Sequence, residues 1–193
     1  MQEHFEKVIG RLRTLEGLVE RLQTVESLAG QVSPVKIVSV QYAEFTGTQS
    51  ASVVGGGNVA ITSLSIAHAM TKSTNKIWLL GQAGSLASSN QYGDAALAAA
   101  VDGALICIGD SASSRTLVGA GSHSSSAAAY AAFNRYISNV YEPASISSMN
   151  YTLRAINMAA ATKTIYVNRT QDDNNSAGRQ RTASSLTLIE LEG

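Results

Sequence analysis

The spacing of apolar positions changes once along this chain. In the first stretch they run Phe5, Val8, Leu12, Leu15, Val19, Leu22, a strict 3-4-3-4-3 pattern. A 3.5-residue period predicts a helix with a narrow seam facing partner helices, because a lone amphipathic helix carries a broader stripe. Phe5, Leu12 and Val19 occupy a positions; Val8, Leu15 and Leu22 occupy d. Arg11 at g lies five residues before Glu16 at e, the spacing of an interchain ion pair in a parallel coil. Ile9 at e, with Leu18 and Val25 at g, widens the apolar stripe and favours three strands over two. Beyond Leu22 the register steps to Val25, Leu28 and Val32, and Gly30 and Pro34 end the helix. The plainer alternative is a single helix docked on its own domain.

From Val35 the period becomes two. Val38, Val40 and Tyr42 alternate with Ser39 and Gln41, as in a half-buried strand. Val59 and Ile61 share one parity and Leu64 and Ile66 the other, which predicts a bulge near Thr62–Ser63. Further strands are expected at Lys76–Leu80, Ala104–Ile108, Tyr136–Tyr141, Tyr151–Ile156, Thr164–Asn168 and Ser185–Leu191. The segments between them (GTQSAS, VVGGGN, TKSTN, GSLASSNQYGD, GDSASS and QDDNNSAGR) are rich in turn formers and read as loops. Two Ala-rich stretches, Asp94–Gly103 and Ser124–Tyr136, have high helix propensity, and the sequence leaves them open between helix and strand. The expected organisation is mainly β: a coiled coil over 1–30, a linker over 31–35, and an antiparallel β-sandwich, jelly-roll-like, over 36–193.

Composition sharpens this division. Nine of the 28 charged residues fall within residues 1–26, so the body takes its polarity from Ser, Thr, Asn and Gln. Lys+Arg and Asp+Glu balance at 14 each, which argues against nucleic acid or an anionic membrane as partner. No run of about 18 apolar residues is present to span a bilayer. The opening MQEHFEKVIG lacks an apolar core, so no secretory signal is expected. Cys107 is the single cysteine, which excludes an internal disulfide or a cysteine-built metal site.

Candidate chemistry is sparse. Ile106-Cys107-Ile108-Gly109-Asp110-Ser111 resembles the first block of the GDSL hydrolases, in which a strand delivers a nucleophilic serine. Such a serine needs a base, and His4, His68 and His123 all lie away from the carboxy-terminal position where that base is expected. A turn after a strand explains Ser111 more simply. Leu117-Val118-Gly119-Ala120-Gly121 mimics a dinucleotide fingerprint but lacks its third glycine and any βαβ surroundings. His68 shares the face of Leu64 and Ile66 and reads as a satisfied core histidine; Trp78, in an apolar run, also reads as core. Asp172, Asp173, Asn174 and Asn175 lack the ligand spacing of a calcium loop and read as an exposed hairpin tip, a candidate distal contact loop. No catalytic residue, metal or cofactor is expected.

The carboxy-terminal run carries a resemblance. Tyr151–Ala155, Thr164–Thr170 and the closing Thr182-Ala183-Ser184-Ser185-Leu186-Thr187-Leu188-Ile189-Glu190-Leu191 resemble the last strands of trimeric virion proteins of tailed bacteriophages. Ile77–Gln82 and Ile106–Ser111 fit the same texture. The resemblance implies a jelly-roll or tumour-necrosis-factor-like sandwich, and a homotrimer serving as head fibre, capsid decoration or tail-fibre element. It further implies other virion proteins (capsid or tail) as partners through the amino terminus, and a virion location after assembly in the host bacterial cytoplasm. The alternatives are a receptor-binding fibre tip touching a host glycan or protein, and, more remotely, a GDSL-type esterase.

Overall fold

The computed structural model describes residues 35–89, 94–110, 116–121, 132–174 and 181–193. The coil positions Phe5, Val8, Leu12, Leu15, Val19 and Leu22 and the pair Arg11 and Glu16 lie outside the described residues, as do Ser111, Asn175 and most of the second Ala-rich stretch. The chain divides into two units, Met1–Lys36 and Ile37–Gly193, and the fold described is that of the second.

Ten strands are present among the described residues: β1 (Ile37–Phe45), β2 (Gln49–Val53), β3 (Asn58–His68), β4 (Lys76–Ser88), β5 (Ala95–Val101), β6 (Ala104–Ile106), β7 (Phe133–Tyr141), β8 (Met149–Asn157), β9 (Lys163–Val167) and β10 (Ser184–Leu191). They form two antiparallel sheets. One has six strands in the order β1-β10-β4-β9-β2, with β7 on the other edge of β4; the second has four, β3-β8-β5-β6. Period-two alternation puts Ile77, Leu79, Leu186 and Leu188 of the first sheet against Leu64, Ile66, Tyr151 and Leu153 of the second, and these side chains form the buried core. The parity switch in β3 is where the sequence placed it: the pairing with β8 shifts register between Ala60 and Ser65, and Ser63 adopts φ 62°.

Two expectations are corrected and one open stretch is settled. GTQSAS holds most of β2, whose only apolar residues are Ala51 and Val53 and which is ordered by its ladder with β9. GSLASSNQYGD begins inside β4, which runs on to Ser88 rather than stopping at Leu80. Asp94–Gly103 is a strand with a turn, since Ala95–Val101 pairs with β8 and is buried along its whole length. Its odd residues enter the main core, while Ala96 and Ala98 pack under Leu105, Ile108, Val118 and Met158. Small side chains suit this face because the covering chain comes close: a Cβ on Gly121 would stand 3.3 Å from the Ala96 Cβ.

Strand β4 changes partner midway, from β10 along Lys76–Gln82 to β9 along Leu86–Ser88. Asn168, fully buried at φ 60°, fills the junction. Its backbone N–H donates to Ser85 at 2.7 Å, its Nδ2 to the Phe45 and Gly47 carbonyls at 2.7 and 2.9 Å, and its Oδ1 accepts from Ser184. Gly84 donates to the Ser184 hydroxyl at 3.1 Å, and a Cβ there would stand 2.1 Å from the Ala183 carbonyl oxygen. Gly84→Ala therefore forces two backbones apart and lowers stability by about 1–3 kcal/mol. A denaturant midpoint equal to that of the original chain would refute this reading.

The two sheets are also joined through a buried carboxylate. Glu190 of β10 accepts at Oε1 from the Thr71 backbone N–H (2.8 Å), the Thr71 hydroxyl (2.8 Å) and Asn75 Nδ2 (2.6 Å). Oε2 meets His68 Nε2 at 3.1 Å and accepts from Ser39 at 3.3 Å, while His68 Nδ1 lies 2.9 Å from Gln41 Nε2. The segment that crosses from β3 to β4 is thus pinned to the last strand. Burial pushes the Glu190 carboxyl upward, but the bonds from Asn75 and Thr71 and the charge of His68 outweigh it and hold the group at about 2, below its ordinary 4.5. A carboxyl depressed on folding stabilises fully above its unfolded value, and the contribution is lost as pH falls from about 4.5 towards 2. Thermal melts should show this loss in the original chain and a flatter profile in Glu190→Gln. Glu190→Ala, which strands the same donors, should cost about 3 kcal/mol at neutral pH.

Candidate functional site

With every other side chain of a strand turned inward, the rest make the outer face of the six-stranded sheet. The register aligns these outward residues in rows across β1, β10, β4 and β7. One row is Val40, Ile189, Trp78 and Val140; the next is Tyr42, Thr187, Leu80 and Ser138; the third is Glu44, Ser185, Gln82 and Tyr136. Val40 is 58% exposed, Tyr42 60%, Tyr136 60%, Val140 47% and Trp78 37%. Trp78 is therefore not a core residue: its indole lies on the outer face and donates to the Ser138 hydroxyl at 3.1 Å. A shallow depression of about 250 Å³ opens between the second and third rows, lined by Leu80, Gln82, Tyr136, Ser138, Ser185 and Thr187. Charge is confined to the ends of the face, at Glu44 and at the Lys76–Glu142 ion pair (2.6 Å).

The face is chemically quiet. Its depression holds hydroxyls, an amide and a phenol, with no carboxylate or imidazole to move a proton. Elsewhere the thiol and phenol that are perturbed are shifted towards their neutral forms. Burial pushes the Cys107 thiol up, and burial, with smaller contributions from Tyr141, Asp102 and Glu190, raises the Tyr151 phenol to about 12. Burial lowers the Arg135 guanidinium, which lies 4.8 Å over the Phe133 ring. Both nitrogens of His68 are engaged, one by Gln41 and one by Glu190. Cys107 ends β6 at φ 55°, where the hydrolase-like block turns away from the sheet. Among the described residues no three His, Cys, Asp or Glu side chains come together.

The hairpin-tip residues sit differently from one another. Asp173 is held by Arg181 (2.7 Å) and Arg169 (3.6 Å), and its side chain is mostly covered. The Asp172 backbone carbonyl accepts from Thr170 at 2.8 Å, and the Asp172 carboxylate accepts from Asn174 at 3.1 Å. These bonds brace the loop from within. The outer-face rows were missed because Ile77-Trp78-Leu79-Leu80 is apolar on both parities, so the run does not say which residues face out. The signal that could have found them was Thr187. Its polar side chain between Leu186 and Leu188 turns those leucines inward and its own parity, with Ile189, outward.

No protein family and no curated protein matches the chain. Two solved structures show a distant likeness. For the structure of the infectious bursal disease virus Gx strain the TM-score is 0.36 at 14% identity, covering 81% of this chain and 38% of that one. For the VP2 subviral particle of infectious bursal disease virus it is 0.33 at 12%, covering 81% and 41%. This chain thus spans about two fifths of the length of those it matches. Likeness at this level carries no argument about function.

Proposed function

We propose that this chain is a non-enzymatic structural protein of a tailed bacteriophage virion. In this reading it is a homotrimeric capsid-decoration or head-fibre protein, joined by its amino-terminal coil and displaying the sandwich outward. The observation that carries the proposal is the place of β10. The closing run that resembles trimeric virion proteins forms a central strand, paired on both sides with β1 and β4. The strand order supports the same reading. Taking β1-β10-β4-β7 against β3-β8-β5-β6, each sheet draws its strands from both halves of the chain, as the double Greek key of a jelly roll does. The quiet chemistry of the outer face suits a role in which geometry and copy number do the work.

Anchoring belongs to the coil, with Phe5, Val8, Leu12, Leu15, Val19 and Leu22 at its seam and other virion proteins as its targets. Particles purified from cells that make this chain should carry it in fixed stoichiometry, detected by mass spectrometry and by gold-labelled antibody at the particle surface. A chain that remains wholly in the soluble fraction would contradict the virion role. Leu12→Asp with Leu15→Asp should abolish trimerisation and remove helical circular dichroism; trimers of unchanged mass and helicity would refute the seam.

A further inference from the structure

We propose that the outer face of β1, β10, β4 and β7 is covered in solution by a second copy of this chain, so that the assembly packs sheet face as well as coil. The inference deepens the homotrimer reading above and rests on it.

Size is the first argument. A fully exposed aromatic side chain offers on the order of 150–250 Å², so Val40, Tyr42, Trp78, Tyr136 and Val140 at their exposures leave on the order of 500 Å² to water on one face. That stands at the upper end of what a monomer usually exposes in one patch, about 300–600 Å². Leu80, Thr187, Ile189 and Leu191 are each half-buried on the same side and extend it towards the roughly 800 Å² that each partner contributes to a stable interface.

Charge decides the kind of partner. Between Glu44 at one end and the paired Lys76 and Glu142 at the other, the rows contain only apolar, hydroxyl and amide side chains. A partner chosen by charge would find nothing to complement. A second copy comes from a chain whose net charge is zero, so the molecule as a whole does not repel it. The composition is that of an interface centre, with Trp and Tyr enriched and charge pushed to the rim. The depression beside Tyr136, about 250 Å³, has room for one large side chain from the partner.

Trp78 is the single tryptophan in the chain and therefore reports on this face alone. Acrylamide quenching of its fluorescence should be weak in the concentrated full-length protein. It should rise at least twofold in Val40→Glu with Val140→Glu, both changes lying at exposed positions. If that variant does not fold, dilution of the original chain through dissociation should produce the same rise. Equal quenching in the folded variant and the original, with the original still a trimer by mass, would overturn the face assignment and leave the homotrimer reading standing. A chain that stays monomeric at every concentration would remove both. Protection of Trp78 in dilute monomer by a host-surface glycan, without any change in mass, would also overturn the proposal.

Discussion

One buried carboxylate sets the register on which both faces of the six-stranded sheet depend. Glu190 is 1% exposed and finds all its partners on other segments: Thr71 and Asn75 in the crossover, His68 at the end of β3, Ser39 in β1. A one-residue slip of β10 would turn that charge out and bring Ile189 inward, leaving the buried donors of Asn75 and His68 without this acceptor and freeing Thr71. The same register that holds Glu190 inside aligns Ile189 with Val40, Trp78 and Val140 outside. Core and outer face are thus two readings of one ladder. Removing the carboxylate alone leaves those donors unmatched, so the group sets the register and contributes stability together.

Much of the sandwich was legible from period two. Val38–Tyr42, the switch between Ile61 and Leu64, and the alternation of β10 each give that signal, and the structure places strands there, but in β1 the apolar phase is the outer one: Val40 and Tyr42 face out, while Ser39 and Gln41 turn in to the Glu190–His68 pair. What escaped has physical causes. β2 is five residues long with only Ala51 and Val53 apolar, too short a signal to read from the sequence, and it is held as a strand by its ladder with β9. β5 is buried on both faces, so its alanines show no alternation and imitate a helix former. Trp78 sits in a run that is apolar on both parities, and only the register of its neighbours decides which side it faces. His68 was legible as a satisfied core residue from its parity with Leu64 and Ile66, although its partner, 122 positions away, was not.

The same asymmetry separates structure from function. Three buried polar side chains are occupied in holding the sandwich: Asn168 at the strand junction, Asn157 on the carbonyls of Val53, Val54 and Ala161, and Glu190 at the crossover. Val40, Tyr42, Tyr136 and Val140 on the outer face stay exposed among the described residues. A rigid sheet with an unused neutral surface, behind a segment patterned for a three-stranded coil, is the physical basis for proposing a self-assembling display protein.

The most direct measurement is the solution mass of the full-length chain by light scattering over a wide concentration range. Self-assembly as a homotrimer predicts three times 20.2 kDa, about 61 kDa, at working concentrations. A mass of 20.2 kDa throughout would contradict the coil seam, the covered face and the fibre role together.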